Sequence, residues 1–166
     1  MTTIIKNRQA VADEFTLVKL AEGETAETLS LPAGPLLVPL AVWNARKAEL
    51  QARGTPLGIW LDVTEGPEAI AADLGSLAVI GVNFPKFTDG RGYSTARLLR
   101  ERFGYTGELR AIGDVLHDQL FLVIAERLRA LLQRGRGRDH RLGHAAHRHA
   151  LAAEGVRKIH QVLLGA

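Results

Sequence analysis

The sequence predicts a single α/β domain, with mainly parallel strands joined by crossover helices and an N-terminal β-hairpin in front. Three observations carry this. Short apolar runs at 57–61, 77–83 and 108–112 alternate with helical patterns at 41–53, 67–74 and 93–103. The connections between them are short, which is the signature of parallel strands with crossover helices. The chain has 166 residues and is 46% hydrophobic, enough for one core.

Each element has a local reason. Residues 3–19 alternate loosely, as a small hairpin would, with a turn near Asn7-Arg8. Leu36-Leu37-Val38 reads as a short strand. Residues 41–53 are rich in helix formers and stop at Gly54. Leu57-Gly58-Ile59-Trp60-Leu61 is a buried strand. Pro67 suits the first turn of the helix that runs to about Leu74. Residues 77–83 form the next strand, and a helix over 93–103 is capped by Gly104. Glu108-Leu109-Arg110-Ala111-Ile112 is a further strand, after which Asp114 or a neighbour opens the next helix. Leu116, Leu120, Ile124 and Leu128 share i, i+4 spacing, which predicts a helix over 115–133. A last helix is expected over 145–164. Trp43 and Trp60 are expected in the core.

Composition narrows the function classes. No apolar run reaches the ~18 residues of a membrane span. The N-terminus lacks the apolar core of a signal peptide. There is no cysteine, hence no disulfide, no thiolate chemistry and no Cys-ligated zinc or iron–sulfur cluster. A cytoplasmic protein is expected. Charge is uneven: residues 1–121 carry a net of −3 and residues 122–166 a net of +6. All nine aromatics lie at or before Phe121. The chain therefore divides into an α/β body, 1–121, and a basic helical tail, 122–166, that is not a domain of its own. Arg134-Gly135-Arg136-Gly137-Arg138 suits nonspecific phosphate contact. It lacks aromatic interleaving for base stacking, so nucleic acid is not the expected partner. His140 and His144 are spaced i, i+4, but no carboxylate accompanies them, and no metal site is assigned.

The stretch with most chemistry is 84–94, Phe-Pro-Lys-Phe-Thr-Asp-Gly-Arg-Gly-Tyr-Ser, between a strand and a helix. Open α/β proteins place sites at such turns. Gly90 and Gly92 permit unusual backbone geometry, and the following helix aims free N–H groups at the turn. Arg91 adds a fork of donors. Lys86, Thr88, Gly90, Arg91 and Gly92 are the expected anion-binding residues. Asp89 and Asp114 are the candidate acid–base groups. A second reading stays open: a tight left-handed turn with Asp89 as helix cap and Asp114 as an ordinary N-cap. His117 on the next turn is a candidate proton shuttle or a surface histidine. If the strands are parallel, Asp62, this turn and Asp114 converge on one edge. No third glycine completes a dinucleotide fingerprint and no P-loop lysine is present, so the cofactor is unknown.

The blocks at 84–94, Arg97-Leu98-Leu99-Arg100, Gly104-Tyr105, Gly107-Glu108-Leu109-Arg110-Ala111, Gly113-Asp114-Val115 and Asp118-Gln119-Leu120-Phe121 resemble domain-of-unknown-function family 934. The resemblance covers roughly residues 30–121. It implies a bacterial protein encoded beside assimilatory sulfite reductase, an accessory to sulfite reduction in sulfur assimilation, often labelled an oxidoreductase. The implied ligand is a small oxyanion or a phosphorylated molecule, and the implied partner is sulfite reductase or a neighbouring enzyme. The alternative is a non-catalytic scaffold for such an enzyme. The resemblance supplies no catalytic residues. It ends at Phe121, where composition also breaks, and a shifted reading frame over 122–166 is the expectation drawn from that break. An intact gene frame would refute it.

Overall fold

The computed structural model describes residues 3–6, 9–86, 88–115 and 129–132. Eight strands form one sheet: β1 (Thr3–Lys6), β2 (Gln9–Ala12), β3 (Thr16–Leu17), β4 (Leu36–Pro39), β5 (Leu57–Leu61), β6 (Val79–Phe84), β7 (Glu108–Gly113) and β8 (Arg129–Leu132). Helix α1 (Leu40–Ala52) links β4 to β5, a 3₁₀ helix (Pro67–Ser76) links β5 to β6, and α2 (Arg91–Glu101) links β6 to β7.

The spatial order is β2-β1-β8-β7-β6-β5-β4-β3. From β3 to β8 every neighbouring pair is parallel, as expected. These strands also follow one another in sequence order, with no reversal. Right-handed crossovers that all advance in one direction place every helix on the same face. The larger core lies on that face, around Trp43, Ile59, Leu61, Ile80, Leu99 and Leu109. Alternate residues of the same strands turn the other way: Leu37, Val79 and Ile112 join Ile4 in a second buried cluster, with Phe15, Leu17 and Trp60 packed on it.

The order also forces the sheet to curl. β2 and β3 stand at opposite ends of the sheet, yet only residues 13–15 separate them. Seven strand spacings of about 4.8 Å would separate flat edges by about 34 Å. The chain from Ala12 to Thr16 reaches at most about 14 Å. The open sheet assumed from the sequence is therefore an incompletely closed barrel, with helices outside and the second cluster inside. Gly58 and Gly81 make this curl possible. A Cβ on Gly58 would overlap Val79, and one on Gly81 would lie 2.8 Å from the Cβ of Trp60.

Two boundaries differ from expectation. The hairpin is confined to 3–12, where β1 and β2 pair antiparallel with Ile4 opposite Val11. Thr16 and Leu17 belong to the far edge, beside Leu36 and Leu37. Residues 129–132 form a strand instead of the end of the helix expected over 115–133. They fill the place between β7 and β1, with Ala130 opposite Ala111 and Ile5. The other expectations for the tail, including His117, His140, His144 and the helix at 145–164, lie outside the described residues. The helix ends follow expectation: Gly54 and Gly104 have φ of 66° and 63°, left-handed values that end α1 and α2.

Trp43 is buried at 1% exposure and donates its indole N–H to Asp73, 2.9 Å. Lys47 reaches the same carboxylate at 2.6 Å. Burial pushes the Asp73 carboxyl up, but these two donors outweigh it and hold it below its ordinary value. This clasp ties α1 to the 3₁₀ helix on the outer face. Among the described residues no helix is long and apolar enough to cross a membrane.

Candidate functional site

Parallel strands present their C-terminal ends at one edge, and in barrels of this kind that edge carries the site. Here it is built from the ends of β5, β6 and β7. Asp62 follows β5, Asn83 is the penultimate residue of β6, and Asp114 follows β7. The carboxamide Nδ2 of Asn83 donates to Asp62 Oδ1 at 2.9 Å. The same Oδ1 accepts the backbone N–H of Val63 at 2.8 Å, and Glu65 accepts the N–H of Asp62 at 2.7 Å. Asp114 is exposed and donates its backbone N–H to Phe84 O at 2.7 Å, which fixes the end of β7 against β6. Gly113, at φ 95°, makes this junction possible, since a Cβ there would strike Phe84 O and lie 2.6 Å from Asn83 Oδ1.

The turn after β6 is organised by one ion pair. Arg91 gives its backbone N–H to Asp89 Oδ1 at 3.1 Å, its Nε to both carboxylate oxygens at 3.0 and 3.2 Å, and its Nη2 to Oδ2 at 2.6 Å. The Arg91 contacts hold the Asp89 carboxyl down at about 2. Asp89 is therefore ionised at neutral pH and a poor proton carrier there. A depressed carboxyl stabilises the fold above its unfolded value, and this contribution is lost as pH falls through about 2. Asp62 lies close enough to add to the attraction on Arg91.

The two glycines of the turn serve different ends, and neither has the left-handed backbone the sequence suggested. Gly92 is buried because α2 packs directly on β6: a Cβ would meet the Phe84 ring at 2.6–2.9 Å. Tyr93 completes the contact, edge-on to Phe84 with centroids 5.0 Å apart. Gly90 has φ −80° and nothing within 4 Å of an added Cβ. Neither packing nor backbone strain requires a glycine at 90. The expected outcome is that Gly92→Ala lowers unfolding free energy by about 1–3 kcal/mol. Gly90→Ala should stay within about 0.5 kcal/mol of wild type in the same urea titration.

Lys86, Thr88, Gly90 and Arg91 are all exposed on the outer side of the turn, and Lys86 is close enough to bias Asp89 electrostatically. The structure thus brings Lys86, Asp89, Arg91 and Asp62 together and seats Asp114 at the neighbouring strand end. The capping reading holds in part. Gly90 occupies the cap position, and Asp89 satisfies the first N–H of α2 from one residue further back. Asn83 and Glu65 were not identified from the sequence. A polar residue closing an otherwise apolar strand was the available signal for Asn83. Among the described residues no group of three or more His, Cys, Asp or Glu is placed to hold a metal.

A family model described as a bacterial protein of unknown function, DUF934, matches residues 58–145. The match starts at β5, later than the resemblance read from the residues, and runs past Phe121 into the basic tail. No curated protein and no solved structure matches the chain.

Proposed function

We propose that this chain, which belongs to the DUF934 family of bacterial proteins of unknown function, is an accessory protein of assimilatory sulfite reduction that binds a small oxyanion on the exposed face of the turn 86–92. The observation that carries this is how the Asp89 carboxylate is held. A guanidinium fork and a backbone N–H at the start of α2 grip it, and these are the donors an oxyanion uses. Arg91 retains outward N–H donors, the N–H of Gly92 has no intrahelical acceptor at its position, and Lys86 adds a second positive charge. Sulfite or sulfate fits this donor set by size and charge. The sulfur pathway itself is drawn from the family resemblance. Asp114, exposed at the neighbouring strand end, is the remaining candidate proton carrier, because Asp89 is held ionised.

The second reading is a non-catalytic partner of sulfite reductase or another enzyme of the pathway. It is favoured by the exposure of Lys86, Thr88 and Arg91 on one convex turn, a surface suited to docking on an acidic partner. Two experiments separate these. A deletion strain is grown on sulfate, sulfite or sulfide as the only sulfur source. Growth on sulfide alone supports the pathway, and growth on all three removes it. In the purified system Arg91→Ala should abolish oxyanion binding if the first reading is right. If it abolishes only co-purification with the reductase, the second stands.

A further inference from the structure

We infer that the N-terminal hairpin and the strap at 13–18 form one latch that closes the barrel interior and opens as a unit, with Asp13–Arg110 as its catch. β2 and β3 flank the seam of the barrel and, among the described residues, are not paired with each other. The strap that runs between them is held mainly from the inside. Arg110 of β7 donates Nη1 to Asp13 at 2.6 Å, and the two side chains are 3% and 2% exposed. Phe15 lies over the guanidinium, 4.9 Å from its carbon to the ring centroid. Farther along, Val18 O accepts the indole N–H of Trp60 at 2.8 Å. Backbone pairing adds the two residues of β3, with bonds from Thr16 N to Pro35 O and from Val18 N to Leu37 O.

This anchoring differs in kind from that of β4 to β7, which share continuous parallel ladders. A buried ion pair selects a geometry more than it adds stability, because desolvation offsets most of the attraction. Once Arg110 is lost, Asp13 is left as a buried carboxylate without its countercharge, and the cheapest relief is for the strap to swing into water. The hairpin is continuous with the strap through Ala12; among the described residues its strand pairing to the rest of the sheet is through β8, and Ile4 packs on Leu37, Val79 and Ile112 inside. Opening therefore carries 3–6 and 9–18 outward together and uncovers the apolar side chains of Leu37, Val79 and Ile112. Such segments open as cooperative units at lower free energy than the core.

Hydrogen exchange of the full chain tests this, comparing wild type with Arg110→Met. Amides of 3–6 and 9–18 should exchange at least about a hundredfold faster in the variant and in step with one another, the ratio expected for an unpaired buried charge. Amides of β5 and β6 should still require a larger opening free energy than those of 3–6 and 9–18, because they exchange only when the whole sheet opens. One opening free energy shared by the latch and β5–β6, or acceleration confined to 13–15, overturns the latch. If Arg110→Met does not fold, wild-type exchange in low urea decides. A shared opening of 3–18 ahead of β4–β7 supports the latch, and one global transition refutes it.

Discussion

Replacing Arg110 with alanine lowers the unfolding free energy by about 3–5 kcal/mol, the largest loss expected of any single polar substitution in this protein. The reason is what the change leaves behind. Asp13 is 2% exposed, and Glu108 is only 18% exposed and bonded to Arg110 Nε at 2.7 Å. Without the guanidinium Asp13 faces an interior that cannot solvate it, and Glu108 loses its bond to Nε. Asp13→Ala should cost less, because Arg110 keeps its bond to Glu108 at 2.7 Å. The paired change Asp13→Leu with Arg110→Met should recover the part of the loss that comes from Asp13, because apolar groups then replace that buried pair with little penalty. Urea unfolding followed by circular dichroism measures all three. If Arg110→Ala costs less than about 1 kcal/mol, the pair is not buried in solution as it is here.

Asp89→Asn raises affinity for sulfate by about three- to tenfold, the opposite of what a catalytic or ligand-binding role for Asp89 requires. The carboxylate now occupies part of the Arg91 fork and the first N–H of α2. Asparagine keeps the shape and removes the competing charge, so an external anion meets less repulsion. The same geometry fixes the pH dependence. With Asp89 held at about 2, sulfate binding should be flat between pH 5 and 8, since the group does not change charge there. A binding curve with a midpoint in that range would assign the titrating group elsewhere.

The strands and helices from 36 to 113 were legible because each is an apolar run or a helical pattern cut by glycine or proline. Gly54 and Gly104 ended helices where the pattern stopped. The curl of the sheet was not legible. It depends on which strands pair, and the decisive fact is that Thr16 pairs with Leu36 and not with the hairpin. Arg110 was hidden for a related reason. Glu108, Leu109, Arg110 and Ala111 alternate charged and apolar, which reads as one wet face and one dry face. The charged side is buried only because Asp13, 97 residues away, comes to meet it. At the turn, the difference between Gly90 and Gly92 lay in the position of the Phe84 ring, which the residue types do not give. The anion reading missed that Asp89 itself takes up three of the donors.

The most direct test of the binding site is an amide titration by NMR, with sulfite and then sulfate added to the full chain and to Asp89→Asn. The predicted result is a saturable shift centred on the amides of Gly90, Arg91, Gly92 and Tyr93, tighter in the variant and lost on Arg91→Ala. Absence of any shift in Asp89→Asn at tens of millimolar anion, or shifts centred away from the start of α2, would contradict it.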